Sequence, residues 1–214
     1  MKKFAVVLAG CGVFDGAEIH EATMTLYAIM KNGGEYTIFA PDIDQYHVIN
    51  HISGKEMKET RNVLVESARI ARGKINNLAS FDAELFDALI FPGGFGVAKN
   101  LSSLALDGAN CTVDSTVRQA VLSMVEKGKP IGALCIAPAI MAKILEGAIV
   151  TVGKDKKTIS DIEKMGGRHK ITNHAEVVVD EKYKLVTGPC YMLDANILQI
   201  ADGADKVVKT MMSL

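Results

Sequence analysis

The sequence predicts an α/β protein with a largely parallel sheet and helices on both faces. Three observations carry this expectation. Apolar runs of strand length alternate with amphipathic helical stretches along the whole chain. The first run, residues 4–8, is apolar without alternation, as a strand covered on both faces is. No repeat, linker or low-complexity segment breaks the alternation, so residues 1–214 read as a single domain.

The elements follow in order. Gly10-Cys11-Gly12 ends the first strand, and a helix is expected over residues 17–32, with Ile19, Thr23, Leu26, Tyr27 and Met30 on one face. Gly33-Gly34 stops it. A second strand covers residues 36–39 and ends at Pro41. Residues 42–60 are polar and irregular, with Ser53-Gly54 as a turn. A helix over residues 61–72 closes at Gly73, and a third strand over 86–91 runs into Pro92-Gly-Gly-Phe-Gly96. Residues 97–110 read as a long loop or short helix, and residues 113–127 as a helix capped by Gly128. A strand at 131–134, a helix at 136–145, a strand at 148–152 and a short helix at 159–165 come next. Residues 177–179 and 184–187 flank Asp180-Glu-Lys-Tyr183 as a C-terminal hairpin, and a last helix spans 193–211.

Composition narrows the function classes. Of the 214 residues, 49% are hydrophobic, enough for a core that needs no disulfide or metal staple. The net charge of −1 gives no electrostatic reason to expect nucleic acid or an anionic membrane as partner. No run of 18 apolar residues exists to cross a bilayer. Met1-Lys-Lys-Phe-Ala-Val begins like a signal peptide, but its apolar run is short and Asp15 and Glu18 follow, so it reads as a strand. The four cysteines form no CxxC pair and read as reduced thiols, which leads to the expectation of a cytoplasmic protein. No metal-ligand spacing appears, and neither metal nor cofactor is expected.

The most informative stretch is Pro130-Ile-Gly-Ala-Leu-Cys135-Ile-Ala-Pro138. It reads as a buried strand that ends in a cysteine and turns at once into a helix, the pattern of a nucleophile elbow. A helix N-terminus behind the thiol favours thiolate, the reactive form. A buried structural cysteine is the competing reading. In open α/β sheets, ligands bind beyond the carboxyl ends of the strands. The loops at Gly10 to Glu18, Pro92 to Gly96 and Gly188-Pro189-Cys190 share that position with Cys135.

Glu18 is the second candidate, as a general base facing the thiol. Asp15-Gly-Ala-Glu18 also fits a capping box with Asp15 as N-cap, which alone would account for it. Gly93 and Gly94 allow close backbone approach, and the N–H groups of Gly94 and Ile136 are candidates for an oxyanion hole. The glycine loop is not followed by Lys-Ser/Thr, so it is not a phosphate-binding P-loop. None of His20, His47, His51, His169 and His174 can be placed beside Cys135, although cysteine nucleophiles are usually paired with histidine. Cys11 and Cys190 are accessory candidates as resolving thiols, against a simpler role as small packing residues.

Three segments together, Gly-Ala-Leu-Cys135-Ile-Ala-Pro, Pro92-Gly-Gly-Phe-Gly-Val-Ala-Lys-Asn100-Leu and Gly10-Cys-Gly-Val-Phe-Asp-Gly-Ala-Glu18-Ile-His-Glu, resemble the ElbB-like glyoxalase family. That family, also labelled isoprenoid-biosynthesis proteins with an amidotransferase-like domain, belongs to the PfpI-type, class I glutamine amidotransferase-like superfamily. Residues 59–73, Cys111-Thr-Val-Asp114 and Pro189-Cys-Tyr-Met192 extend the resemblance nearly end to end. It implies a flavodoxin-like three-layer sandwich, a homodimer, an elbow cysteine at Cys135 and a glutamate at Glu18, with Asn100 a further accessory candidate. The implied activity converts methylglyoxal or glyoxal to lactate or glycolate without glutathione, so the expected partner is a small reactive aldehyde. Relatives with peptidase or deglycase activity place a histidine at or soon after the elbow cysteine. Here Ile136 follows, which weakens a peptidase or glutaminase reading. A deglycase, an amidotransferase-type hydrolase and a non-catalytic redox sensor linked to isoprenoid metabolism are the alternatives.

Overall fold

The computed structural model describes residues 1–214. The first half of the chain runs β1 (Lys3–Val7), α1 (Ile19–Lys31), β2 (Glu35–Ala40), β3 (Val48–Ile49), β4 (Glu56–Met57), α2 (Val63–Ile70), β5 (Ile75–Asn77), β6 (Ala88–Phe91), α3 (Phe95–Lys99) and α4 (Leu104–Asp107). The second half runs α5 (Ser115–Glu126), β7 (Ile131–Leu134), α6 (Ala137–Ile144), β8 (Ile149–Val150), α7 (Lys156–Lys164), β9 (Arg168–His169), β10 (Val178–Asp180), β11 (Leu185–Gly188) and α8 (Ile197–Met212).

Seven strands form one sheet in the order β10-β11-β7-β6-β1-β2-β5. Every pairing in it is parallel except that of the edge strand β10 with β11. Within it, β2-β1-β6-β7-β11 follows the doubly wound, flavodoxin-like order. The chain leaves β1 in one direction and returns on its other side as β6, so the switch point lies between those two strands.

Alternation along β1 divides the core in two. Phe4, Val6 and Leu8 point to the face covered by α1 and α8, where Ile29, Ala204, Val207, Val208 and Met211 pack. Ala5, Val7 and Ala9 point to the other face, covered by α5 and α6 through Val117, Val121, Met124, Ile140 and Met141. A strand sandwiched this way has no solvent face, which is why β1, β6 and β7 show no polar alternation.

Three differences from the sequence expectations have physical causes. β5 is a strand the sequence pattern does not predict, because Ile-Asn-Asn at a sheet edge carries little hydrophobic signal. The segment 42–60 holds the small antiparallel pair β3–β4, fastened to the β1–α1 loop by Asp15 Oδ2, which accepts the Ile49 N–H at 2.6 Å. The strand expected at 148–152 shortens to β8 and pairs with β9 in a separate two-stranded sheet.

Candidate functional site

Strand β7 ends at Leu134, and α6 begins only two residues later at Ala137, with Pro138 in its first turn. Cys135 fills this gap with φ +59°, in the left-handed region. Its N–H donates to Gly188 O at 2.9 Å, which ties the turn to the end of β11. A non-glycine residue held there costs about 1–3 kcal/mol, a strain that surrounding structure must enforce. The elbow geometry expected from the sequence is therefore present at Cys135.

The carboxylate beside the thiol is Glu21, and the expectation that placed Glu18 there is corrected. Helix α1 starts at Ile19, so Glu18 is its N-cap and accepts the Glu21 N–H on Oε2 at 2.7 Å. The expected cap, Asp15, lies three residues earlier and holds Ile49 instead. Glu21, at the third helical position, does not reach back to the cap. Its Oε2 accepts the Gly93 N–H and its Oε1 the Tyr191 N–H, each at 3.0 Å, and it lies beside the Cys135 thiol, close enough that a Cβ on Gly93 would touch both Glu21 Oε2 and Cys135 Sγ. Glu21 is completely buried. Burial raises its pKa to about 7, with the Glu18 charge adding to the rise and the Tyr191 and Gly93 N–H groups opposing it. The sequence signal that points to it is the i, i+3 spacing from Glu18, which puts both glutamates on one side of the first helical turn.

The expectation of a ready-made thiolate is also corrected. Burial pushes the Cys135 thiol well above its ordinary range, and Glu21 and then Cys190 push it further. The Gly94 N–H, directed at the sulfur, opposes this without reversing it. A desolvated thiol facing a carboxylate keeps its proton until that carboxylate accepts it. Cys135 is thus biased toward the thiol form beside a buried carboxyl.

The two loop glycines have separate tasks. Gly93 gives its N–H to Glu21 and its C=O to the Glu18 N–H, and a side chain at Gly93 would collide with Cys135 Cβ. Gly94 has φ +102°, and a Cβ there would overlap the Glu18 backbone nitrogen. Of the three groups expected to bind substrate oxygen, the Gly93 N–H is committed to Glu21, and the Gly94 N–H lies beside the Cys135 sulfur. The Ile136 N–H has no acceptor within the chain, and Ile136 lines the cavity over Cys135.

That cavity has a volume of about 500 Å³ and is lined by Glu18, Gly94, Cys135, Ile136 and Tyr191, together with side chains of α3, α4 and α7. Cys190 sits behind Cys135 in the same core cluster and does not line the cavity. Cys11 lies away from it, near Glu66, Arg69 and Asp15, with its thiol raised chiefly by burial. Asn100 is a bolt: Nδ2 donates to Ala9 O at 2.9 Å and Asp15 O at 2.8 Å, and Oδ1 accepts the Tyr46 N–H at 2.9 Å. It fixes the β1–α1 loop without facing the thiol. His20 borders two residues of the cavity wall, with Nδ1 2.8 Å from the Tyr191 hydroxyl and 4.0 Å from Glu18 Oε1. No histidine is among the groups that act on Cys135.

The sequence profile of the DJ-1/PfpI family matches residues 7–191. The human glutamine amidotransferase-like class 1 domain-containing protein 3, mitochondrial, is 46% identical over 99% of this chain and 83% of its own length. The zebrafish (Danio rerio) ES1 protein, mitochondrial, is 35% identical over 98% of this chain and 85% of its own length. Among solved structures, an isoprenoid biosynthesis protein with amidotransferase-like domain from Ehrlichia chaffeensis superposes with a TM-score of 0.93 at 34% identity, covering 100% of this chain and 99% of that one. A glyoxalase III from Candida albicans shares the fold, with a TM-score of 0.64 at 15% identity over 99% of this chain and 96% of that one. The names of the human and zebrafish relatives overturn the expectation of a cytoplasmic location, since both are mitochondrial. Unpaired cysteines report a reducing environment, and that property does not single out the cytosol.

Proposed function

The chain belongs to the DJ-1/PfpI family, and from that premise we propose that it is a glutathione-independent glyoxalase, with Cys135 as nucleophile and Glu21 as its base. One observation carries the reading. A buried carboxyl with a pKa of about 7 lies beside a thiol held in a strained elbow, and that thiol lines a cavity. Such a pair exchanges a proton at neutral pH without a histidine.

The steps follow from the chemistry of a 2-oxoaldehyde. Glu21 takes the thiol proton as sulfur attacks the aldehyde carbon, and the new alkoxide receives a proton to give a hemithioacetal. The carboxylate then removes the hydrogen on that carbon and returns it to the neighbouring carbonyl carbon through an enediol. This leaves a thioester of the 2-hydroxy acid, which water hydrolyses to the free acid and the thiol. The Ile136 N–H is the donor free to hold the oxyanion. Aldehyde addition expels no group, and the one later departure is the Cys135 thiol, so a single carboxylate that takes and returns one proton suffices.

Methylglyoxal given to the purified protein without glutathione, in D₂O, tests this. Lactate is expected, with substantial protium retained at C2 because Glu21 passes the hydrogen within the site. Lactate production that persists in Cys135→Ser would overturn the nucleophile assignment. Absence of turnover in the wild-type protein, with Cys135 instead oxidised rapidly by peroxide, would favour the redox sensor.

A further inference from the structure

We infer that the substrate of this site carries an uncharged apolar group, about the size of a phenyl ring or a branched chain of four to six carbons, next to its reactive 2-oxoaldehyde. This rests on the aldehyde reading above and goes beyond it by naming the body of the molecule. The first observation is size. Methylglyoxal has five non-hydrogen atoms and occupies roughly 100 Å³ at liquid-like packing, while the cavity over Cys135 measures about 500 Å³. A volume of this order is that of a pocket built for a larger ligand.

The second observation is the wall. Val13, Phe95, Ala98, Leu104, Ile136 and Met192 form its apolar lining. Phe95 opens α3 and stands 47% exposed although it borders the cavity. Phe95 thereby extends the apolar wall out to the mouth, with the Lys99 ammonium 5.0 Å from its ring centroid.

The third observation concerns charge. The polar groups that α7 contributes to the lining are already engaged. Asp155 caps the helix by accepting the Thr158 N–H at 2.8 Å, and Lys157 pairs with Asp161 at 3.2 Å. The one lining cation, Lys157, is thus engaged on its own helix and points largely to solvent, and the rest of the wall is mainly apolar, so the cavity favours an apolar body. Aldehyde and apolar group are then read by separate parts of one pocket, the thiol by chemistry and the wall by burial.

The test compares phenylglyoxal with methylglyoxal, each kcat/KM divided by that aldehyde's rate with a free small thiol. The expected preference for phenylglyoxal is roughly tenfold to hundredfold, the gain from burying one ring. Phe95→Ala, at an exposed position, should reduce that preference several-fold. A ratio near one that Phe95→Ala does not alter would overturn the inference while leaving the glyoxalase reading intact. A second measurement is independent of turnover. Cys135 is alkylated with iodoacetamide or N-benzyl iodoacetamide, and labelling is read by mass spectrometry against Cys11 in the same molecule. Saturable labelling of Cys135, at least about tenfold faster with the benzyl reagent, is expected. Should no aldehyde be turned over while that preference remains, the apolar acceptor stands and the glyoxalase reading falls. Equal labelling by both reagents overturns the acceptor.

Discussion

Two cysteines occupy nearly equivalent places in this fold, and only one is equipped for chemistry. Cys135 follows β7 with φ +59°, and Cys190 follows the adjacent parallel strand β11, after Pro189, with φ +42°. Both are buried, and burial pushes both thiols well up. Yet Cys135 lines the cavity and lies beside Glu21 and the Gly94 N–H, while Cys190 packs toward α8 near Gly203. Backbone strain at a strand end is therefore common to both, and the neighbouring carboxylate and the opening onto a cavity are what set the proposed nucleophile apart.

The largest effect should separate the two thiols themselves. Cys135→Ser is expected to lower kcat/KM for a 2-oxoaldehyde by about 10³-fold or more, and Cys190→Ser by less than about threefold. Comparable losses in both would show that the pair works as a unit.

The base should come next. Glu21→Gln is expected to cost about 10²- to 10⁴-fold in kcat/KM. Because the carboxylate must be ionised to take the thiol proton, wild-type kcat/KM should rise with pH through about 7, and the variant should lack that step. A rising limb that survives in Glu21→Gln would assign the titration to another group.

Stability should carry the same group in the opposite sense. The folded pKa of Glu21, about 7, lies above the unfolded value of 4.5. The folded state thus binds this proton more tightly, and the contribution is complete below the unfolded pKa and lost as pH rises through the folded one. The stability advantage of wild type over Glu21→Gln should shrink by about 3 kcal/mol between pH 4.5 and 7 and above. Denaturant titrations of both proteins at several pH values would measure it. A constant difference would mean that Glu21 keeps an ordinary pKa.

The smallest effect distinguishes the two glutamates. Glu18→Ala removes the α1 cap and should lower stability by about 0.5–2 kcal/mol, while Glu18→Gln keeps an acceptor oxygen for the Glu21 N–H and should lower it less. Thermal unfolding with both variants checks the order. If Glu18→Gln alone removed turnover as Glu21→Gln does, the shuttle would belong to the cavity wall and not to the thiol's neighbour.

Legibility in the sequence differs sharply between elements. Residues 131–134 were readable as a strand to the residue, because four apolar positions lie between Pro130 and the elbow. The C-terminal hairpin was readable to within one residue at each strand, its turn marked by Asp180-Glu-Lys-Tyr183. That its second strand joins the main sheet parallel to β7 was not, since strand pairing is not encoded locally. The start of α1 was misplaced because Asp15 and Glu18 are both good caps, and the choice between them was made by Asp15's bond to Ile49. That three-residue shift carried the glutamate assignment with it.

By itself, the sequence determined the alternation of strands and helices, the elbow at Cys135 and the glycine loop opposite it. These are set by the local hydrophobic period and by the abrupt change from strand to helix. Only the tertiary structure decided which glutamate meets the thiol, which way the thiol titrates and how much space lies above it. Glu21 is fixed by N–H groups 72 and 170 residues away in the chain, from Gly93 and Tyr191. Its pKa and that of Cys135 follow from the loss of water around both, and desolvation exists only once the sheet and its helices have closed.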